Sequence, residues 1–473
     1  MEKTRRFRSA YDAIVIGGGI SGLTAALELA HRNMRVLLLE QQNKTGGRTG
    51  SFVRGRYEFD VSRHELCTCG SSLSGYTFGS VRSILENCGV YPDFVRPSDA
   101  YRIILTEYGV DFTMPFGIEN AINAIEKVDP GQGPKVRKYF KLCEEIYNTL
   151  LYLSSSEVQP GNRTMAARHA SFLRTAAYSV EEVYRSFDFS PLTKNLLSAY
   201  PGSFMNRLDR TNFIVWAMMM YLYIRDGGCI LNKTSHALAV DLEARIRELN
   251  GQVETNVRVS KLITEGDVVV GIQTAYGDQI RAGQVFSSLA QHTTYPERMN
   301  RNTVLENALK LTGVKSISGA PFAIFLGLDA LPKEMGIFSH AFFFTGDMNM
   351  RHIYNRPKGL GAWNKVAVTC PDVVLPCFTG PDRCQLSFTC LYEPDAMSGQ
   401  TDPARYQINK EAFADVLINQ FELITGAMIR SHIEEIEIAT PSTYAHYSGE
   451  PGGAICGYDP TRGTIETIER LRI

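Results

Sequence analysis

The feature that most constrains the fold of this chain is a strand–helix–strand pattern in its first forty residues. Residues 12–16, "DAIVI", form a short run rich in Ile and Val that predicts a buried strand. Glycines follow it in G-x-G-x-x-G spacing at Gly17, Gly19 and Gly22. Next come a stretch of good helix formers and a second apolar run, "RVLLLE", which ends at Glu40. This order predicts a βαβ unit with parallel strands.

Each glycine in this spacing has a physical role in binding a dinucleotide. Gly17 permits the tight turn after the strand, and Gly19 lets the backbone approach a pyrophosphate. Gly22 lets the helix pack closely against the strands. The three positions together therefore predict a phosphate-binding loop.

The start of the helix and the acid that follows it complete this predicted site. Phosphates would lie at the helix N-terminus, beside Ile20 and Ser21, where unpaired N–H groups and the helix dipole favour anions. Glu40 lies 23 positions after Gly17, a distance at which an acid accepts hydrogen bonds from ribose hydroxyls. Its charge would repel a 2′-phosphate, which disfavours NADP.

The "Gly46-Gly47-Arg48" sequence after the acid points to a flavin dinucleotide. Two glycines let a loop pass close to the cofactor, and Arg48 can reach a pyrophosphate as a bidentate donor. An acid followed by Gly-Gly-Arg resembles the FAD signature of the flavoproteins with two dinucleotide-binding motifs. That group includes amine oxidases, phytoene desaturases, carotenoid isomerases and retinol saturases, and the resemblance implies FAD as the cofactor.

The next stretch, "SFVRGRYEFDVSRHEL", selects a branch of this group. It resembles the phytoene desaturase, carotenoid isomerase and retinol saturase branch, whereas amine oxidases usually show a Gly-Gly-x-Trp/His turn. Where that branch often has Gly before the His, this chain has Arg63 before His64. His64 is therefore a candidate catalytic residue facing the isoalloxazine or the substrate, or a histidine that is hydrogen-bonded in a domain core.

Length and composition exclude several classes of protein. A chain of 473 residues predicts two or three domains. The 49 basic and 50 acidic residues nearly cancel, so no basic surface field argues for a nucleic-acid partner. We expect no signal peptide, no membrane-spanning helix and no metal site, and the ten scattered cysteines favour a reducing cytoplasm. Peripheral contact with a membrane stays open, and the sequence does not indicate an oligomeric state.

The fold class predicted by the resemblance is α/β, with a discontinuous Rossmann-like FAD-binding domain and an inserted α+β substrate domain. The stretch "QVETNVRVSKLI" resembles the segment in which the family pairs backbone atoms with adenine, here around Val257. The expected FAD-binding parts are 1–100, 225–298 and 433–473, and the expected substrate-domain parts are 101–224 and 299–432.

An apolar run at residues 212–224, "NFIVWAMMMYLYI", allows two interpretations. Its thirteen residues are too few to span a bilayer, and a buried core helix accounts for the run. Alternatively it forms a wall of a lipophilic substrate tunnel, or dips into a membrane surface, since Met suits an adaptable apolar cavity.

The C-terminal "ATPSTYAHYSGEPGGAICGYDP" resembles the family segment that approaches the flavin, and Tyr444 within it is a second catalytic candidate. The final helix of the family is not recognisable after this stretch, so we expect a shortened third part with weakened FAD affinity.

The resemblance implies a FAD-dependent oxidoreductase that desaturates, saturates or isomerises carbon–carbon double bonds of a small lipophilic substrate, for example an isoprenoid or polyene. A flavin amine oxidase is one alternative. A truncated, non-catalytic flavoprotein remnant is another.

Overall fold

The strands and helices of the chain assemble around two main β-sheets. The computed structural model describes residues 7–62, 65–67, 69, 81–155, 160–200, 207–266, 268–290, 316–345, 356–359, 361–394, 396–397 and 402–459. In chain order the strands are β1 (Ala10–Ile16), β2 (Val36–Leu39), β3 (Ser51–Arg54), β4 (Tyr57–Asp60), β5 (Glu65–Cys67), β6 (Phe94–Val95), β7 (Asp99–Leu105), β8 (Val110–Pro115), β9 (Gly228–Leu231), β10 (Gln252–Glu254), β11 (Val259–Glu265), β12 (Val268–Thr274), β13 (Gln279–Ser287), β14 (Ala320–Leu328), β15 (Ala341–Thr345), β16 (Lys365–Thr369), β17 (Cys384–Tyr392) and β18 (Ile433–Ala439). The helices are α1 (Ile20–His31), α2 (Val81–Asn87), α3 (Ile118–Val128), α4 (Gly133–Ser155), α5 (Asn162–Arg168), α6 (Ala170–Thr175), α7 (Val180–Ser186), α8 (Pro191–Ser198), α9 (Phe213–Asp226), α10 (Ser235–Glu248), α11 (Pro403–Thr425) and α12 (Pro441–Ser448).

The first sheet has six strands in the order β10-β2-β1-β13-β12-β11. β1 pairs in parallel with β2 on one side and with β13 on the other, and β10 pairs in parallel with β2. All four residues of β2 are buried, as expected for a parallel strand covered on both faces. This sheet joins the N-terminal βαβ unit to a segment more than 200 residues further along the chain.

The second sheet has seven strands in the order β18-β14-β17-β16-β15-β7-β8. Its β7–β8 pair is an antiparallel hairpin. All nine residues of β14 are buried, and Phe413, Leu417 and Phe421 of α11 belong to the same apolar core. A separate core includes buried side chains of α3, α4, α7, α8 and α9 together with Phe343 of β15.

The placement of β18 corrects one expected boundary. The sequence assigns residues from 433 onward to the FAD-binding domain, but Ile433–Ala439 pairs antiparallel with β14 in the second sheet. Alternating polar and apolar residues predict a strand but do not show which sheet it joins, because the sheet is decided by the strand with which it pairs.

The apolar run of residues 212–224 forms α9, which begins after an Asn212 N-cap. Trp216, Met220 and Tyr223 are almost completely buried, which is the packing of a core helix. Among the described helices, none combines the length and the apolar character needed to cross a bilayer.

Candidate cofactor site

The glycine loop between β1 and α1 depends on glycine at two of its positions. Gly17 has a φ of +97°, a backbone conformation that residues with a side chain rarely adopt. A Cβ atom on Gly22 would lie 1.9 Å from the carbonyl oxygen of Gly17. The first turn of α1 therefore packs directly on the loop, as the glycine spacing predicts.

The N-terminus of α1 is open to a ligand. Gly19 is its N-cap residue, no side chain caps the helix, and its first turn contains no acidic residue. A Cβ atom on Gly19 would have no other atom within 4 Å, and Ser21 is exposed. Free space beside uncapped N–H groups fits the diphosphate of a dinucleotide.

Glu40 ties the glycine loop to the end of β2. Its Oε2 accepts a hydrogen bond from the Gly18 N–H at 2.6 Å, and its Oε1 accepts one from the Gln42 N–H at 2.8 Å. The side chain is only 8% exposed. An ionised carboxylate has about four acceptor sites, so two remain for the ribose hydroxyls predicted to bind here.

The Gly-Gly-Arg loop lies directly against the glycine loop. The Gly46 N–H donates to the Gly18 carbonyl at 2.8 Å. A Cβ atom on Gly47 would lie 3.1 Å from the Cα atom of Gly19. Gly46 and Gly47 have φ values of +115° and +55°, so both positions favour glycine.

Arg48 makes contacts that the sequence does not reveal. Its Nη1 donates to the Ile455 carbonyl at 2.5 Å, and its Nη2 donates to the Ala454 carbonyl at 2.5 Å. Nη2 also lies 3.9 Å from a Glu450 carboxylate oxygen. Both terminal nitrogens of Arg48 thus bind the C-terminal segment, whereas the sequence predicts that they bind the pyrophosphate.

Tyr444 of α12 lies within electrostatic range of Arg48. Its hydroxyl donates to the Val61 carbonyl at 3.0 Å, and its ring belongs to a buried aromatic cluster with Tyr57 and Phe59. Burial raises the pKa of Tyr444, and the positive charge of Arg48 opposes that rise in part. Because the single hydroxyl proton is directed to a backbone carbonyl, the structure favours a packing role for Tyr444.

Two predicted features lie outside the described residues. His64, the other catalytic candidate, is one of them. The other is the stretch 460–473, in which the sequence shows no closing helix.

Val257 lies beside Glu40, the acid that the sequence predicts to bind the ribose. Its N–H donates to the Glu40 carbonyl at 2.8 Å, and the neighbouring Asn256 N–H donates to the Gln42 carbonyl at 2.8 Å. The region predicted to pair with adenine therefore adjoins the ribose position. Pairing through the Val257 N–H would have to replace its bond to Glu40.

Ser288, which sequence reasoning missed, closes the loop from the other side. Its Oγ lies 3.0 Å from the Ile16 carbonyl, to which it donates, and a Cβ atom on Gly17 would approach it to 2.4 Å. It directly follows β13, the parallel neighbour of β1. Ligands of open α/β sheets bind at the carboxyl ends of such strands, so the sheet order is the signal that would have identified it.

Comparison with known proteins supports this architecture. The NAD(P)-binding Rossmann-like domain family matches residues 15–76, a segment that contains both glycine loops and Glu40. A putrescine oxidase redesigned in its cofactor binding has a TM-score of 0.64 at 11% identity, with 98% of this chain and 91% of the oxidase covered. The Rossmann-like α/β fold class predicted from the sequence is confirmed.

Three relatives are similar along nearly the whole chain. All-trans-retinol 13,14-reductase of Danio rerio is 23% identical, with 95% of this chain and 77% of the reductase covered. Chloroplastic prolycopene isomerase of Daucus carota is 24% identical, with coverage of 94% and 71%. The lycopene-forming phytoene desaturase of a Paracoccus species is 21% identical, with coverage of 96% and 88%. The family resemblance is thereby confirmed: the chain is a homologue of retinol 13,14-reductases, prolycopene isomerases and phytoene desaturases, and it carries a Rossmann-like dinucleotide-binding domain.

Proposed function

We propose that this protein is a FAD-dependent oxidoreductase that acts on carbon–carbon double bonds of a lipophilic polyene. The observation that carries the proposal is the similarity, along 94–96% of the chain, to proteins named as a retinol reductase, a prolycopene isomerase and a phytoene desaturase. Three different reactions among these relatives leave saturation, isomerisation and desaturation as the reactions to be distinguished.

The geometry of the two glycine loops supports FAD as the dinucleotide. The uncapped start of α1 and the space at Gly19 suit a diphosphate, and the lone pairs left on Glu40 suit ribose hydroxyls. Arg48 would hold the segment around Ile455 over the same loops. When bound, FAD supplies hydride transfer at its isoalloxazine ring, and the protein supplies position and exclusion of water.

An apolar stripe on α9 supports a lipophilic substrate. Val215, Met218, Met219 and Leu222 are only partly buried, in contrast to the opposite side of the helix. Their spacing of three and four residues places them on one helix face. Flexible methionines suit a wall that adapts to a long apolar molecule.

The test of this function is anaerobic flavin spectroscopy on FAD-loaded protein. Retinol, prolycopene and phytoene would be presented in detergent micelles, with putrescine as the amine probe. A substrate that the protein desaturates bleaches the oxidised flavin, and a substrate that it saturates reoxidises photoreduced flavin. A substrate that it isomerises changes its double-bond geometry without net flavin reduction.

These outcomes also separate the alternatives. Conversion of any of the three polyene probes supports the proposal. Bleaching by putrescine alone would establish an amine oxidase instead. If bound flavin can be neither bleached nor reoxidised by any probe, and no polyene is converted, a non-catalytic flavoprotein is the better account.

Peripheral contact with a membrane belongs to the same proposal, because a polyene partitions into lipid rather than water. Flotation with phosphatidylcholine vesicles is the measurement. Co-flotation of the FAD-loaded protein is the expected result, and complete retention at the bottom of the gradient would contradict membrane contact.

A further inference from the structure

One stretch of the helical region carries arginines and no acidic residue. Residues 158–180 contain Arg163, Arg168 and Arg174 together with one histidine, and none of these 23 residues is Asp or Glu. The whole chain has 50 acidic residues among 473, or about one in nine. The stretch is therefore positively charged in a chain whose charges otherwise nearly cancel.

His169 fixes how this stretch lies on the protein. It ends α5 and begins α6, and its ring stacks on Tyr152 of α4 with ring centroids 4.9 Å apart. A hydrogen bond of 2.9 Å joins its Nδ1 to the Thr149 hydroxyl. Phe172 and Ala176 of the same stretch pack against the helical core. One side of α6 is therefore held against the protein.

The exposed side chains of the stretch combine positive charge with apolar area. Arg163, Arg168 and Arg174 are exposed. Leu173 is 46% exposed and Tyr178 is 49% exposed. We call the exposed side chains of these five residues the arginine surface. Basic side chains mixed with leucine and an aromatic ring are typical of segments that lie in the headgroup region of a bilayer.

The three arginines of this surface have no acidic partner in the described part of the chain, where none of them forms an ion pair or a side-chain hydrogen bond. Arg185 of the following helix, by contrast, pairs with Glu181 at 3.2 Å. Glu145 of α4, which contacts α6, accepts a hydrogen bond from the Ser171 hydroxyl at 2.7 Å. The charge of the arginine surface is thus available to an external anion.

The arginine surface ends where α9 begins. Asn212, the N-cap residue of α9, donates from its side-chain amide to the Ala176 carbonyl at 2.8 Å. The Phe213 N–H donates to the Tyr178 carbonyl at 3.0 Å. α9 also carries the partly buried apolar stripe that we propose as a substrate wall. A bilayer at the arginine surface would therefore lie beside the helix that receives an apolar substrate.

We propose that the arginine surface docks the protein on a bilayer that contains anionic phospholipids. Guanidinium groups donate paired hydrogen bonds to lipid phosphates, and each basic residue near an anionic leaflet adds to the attraction. Leu173 and Tyr178 place apolar area at the same interface. The inference rests on the proposed function, because a polyene substrate would reach the protein from lipid.

Vesicle flotation of the FAD-loaded protein tests the preference for anionic lipid. Vesicles of phosphatidylcholine are compared with vesicles of phosphatidylcholine and phosphatidylserine in equal parts. The mixed vesicles should bind the protein at least tenfold more tightly at low salt, and added salt should reduce that advantage because it screens the charges. Equal affinity for the two compositions would overturn the proposal.

Two triple variants assign the preference to the arginine surface. R163Q/R168Q/R174Q should bind the mixed vesicles at least tenfold more weakly than the wild type, and R163K/R168K/R174K should retain most of the affinity because it keeps the charge. The matched control is K261Q/K333Q/K358Q, which removes three charges from exposed lysines outside this stretch and should bind like the wild type.

Two results with these variants would contradict the assignment. One is wild-type affinity of the glutamine variant for mixed vesicles, and the other is an equal loss of affinity in the lysine control. If the glutamine variant keeps its vesicle binding but loses affinity for an RNA duplex, the surface belongs to a nucleic acid and the proposal is wrong.

Hydrogen exchange supplies a local readout that does not depend on any variant. Exchange at residues 161–178 should slow when mixed vesicles are bound. Slowing confined to other parts of the chain would overturn the proposal, because the contact would then lie on another face.

Turnover separates this inference from the proposed function. Docking on mixed vesicles through the arginine surface, without conversion of any polyene, would leave the surface in place and count against the enzyme function alone. Conversion of a polyene in detergent by a protein that does not respond to vesicle charge would overturn the docking surface and leave the enzyme function intact.

Discussion

Arg48 donates from its guanidinium to the backbone carbonyl of Ile455 at 2.5 Å, across a separation of 407 residues. The same side chain binds the Ala454 carbonyl, so one arginine from the Gly-Gly-Arg loop holds two consecutive peptide units of the C-terminal segment. A buried ion pair between Arg356 and Asp459, with a shortest distance of 2.7 Å, anchors the next residues of that segment. The cofactor loops and the end of the described chain therefore form one connected site.

Replacement of Arg48 tests the contact of its guanidinium with the Ala454 and Ile455 carbonyls, which we call the clamp. R48A should lower the free energy of unfolding by about 1.5–3 kcal/mol, because it removes charge-assisted hydrogen bonds from a partly exposed side chain. R48K keeps the charge but loses the planar fork, so it should rescue only part of that loss. Hydrogen exchange at residues 450–459 is the local readout. The control is R32K in the exposed Arg32–Glu28 pair, which should change stability by less than about 0.5 kcal/mol. Exchange in R48A as slow as in the wild type would contradict the clamp.

Gly19 and Gly161 form a matched pair of helix N-caps. Their φ values are −67° and −65°, and an added Cβ atom would contact nothing within 4 Å at either position. G19A should fold normally but weaken FAD binding at least tenfold, about 1.4 kcal/mol, since the methyl group enters the space predicted for the pyrophosphate. G161A should bind FAD like the wild type. If G19A and G161A bind FAD with equal affinity in a flavin fluorescence titration, the diphosphate does not lie at Gly19.

Substitution of Glu40 should affect the loop and the ligand together. In E40Q one carboxylate oxygen is replaced by an NH2 group, which can only donate, so either the Gly18 N–H or the Gln42 N–H loses its acceptor. We expect a stability loss of about 1.5–3 kcal/mol and FAD binding at least tenfold weaker. E248Q on the exposed part of α10 is the control and should change neither quantity. Unchanged FAD affinity in E40Q would rule out the ribose role.

Tyr444 should prove to be a packing residue. Y444F removes the hydrogen bond to the Val61 carbonyl and leaves that acceptor without its donor, at a cost of about 1–3 kcal/mol in stability. Turnover should fall less than tenfold, and FAD binding should stay unchanged. If turnover falls a hundredfold while FAD binding and stability are retained, Tyr444 is a catalytic residue.

The local parts of the site are predictable from the sequence, whereas its long-range parts are not. The glycine spacing, Glu40 and Gly46-Gly47 lie within about thirty residues, and each position has a steric or electrostatic reason for its residue type. Ala454 and Ile455 contribute backbone carbonyls to Arg48, and a carbonyl acceptor leaves no signature in residue identity.

The same limit applies to β18 and Glu65. The pattern of β18 predicts a strand but not the sheet to which it adds. Tyr223 is recognisable as part of an apolar helix, yet its hydroxyl contact with Glu65 joins residues 158 positions apart. Only the packing of α9 against β5 brings these two side chains together.

The most direct test of the account is the flavin content of the purified protein. FAD would be added to the full chain, unbound cofactor removed, and the absorption spectrum recorded together with that of G19A. The account predicts oxidised-flavin bands in the wild type and strongly reduced bands in G19A. A folded wild-type protein that retains no FAD would contradict it.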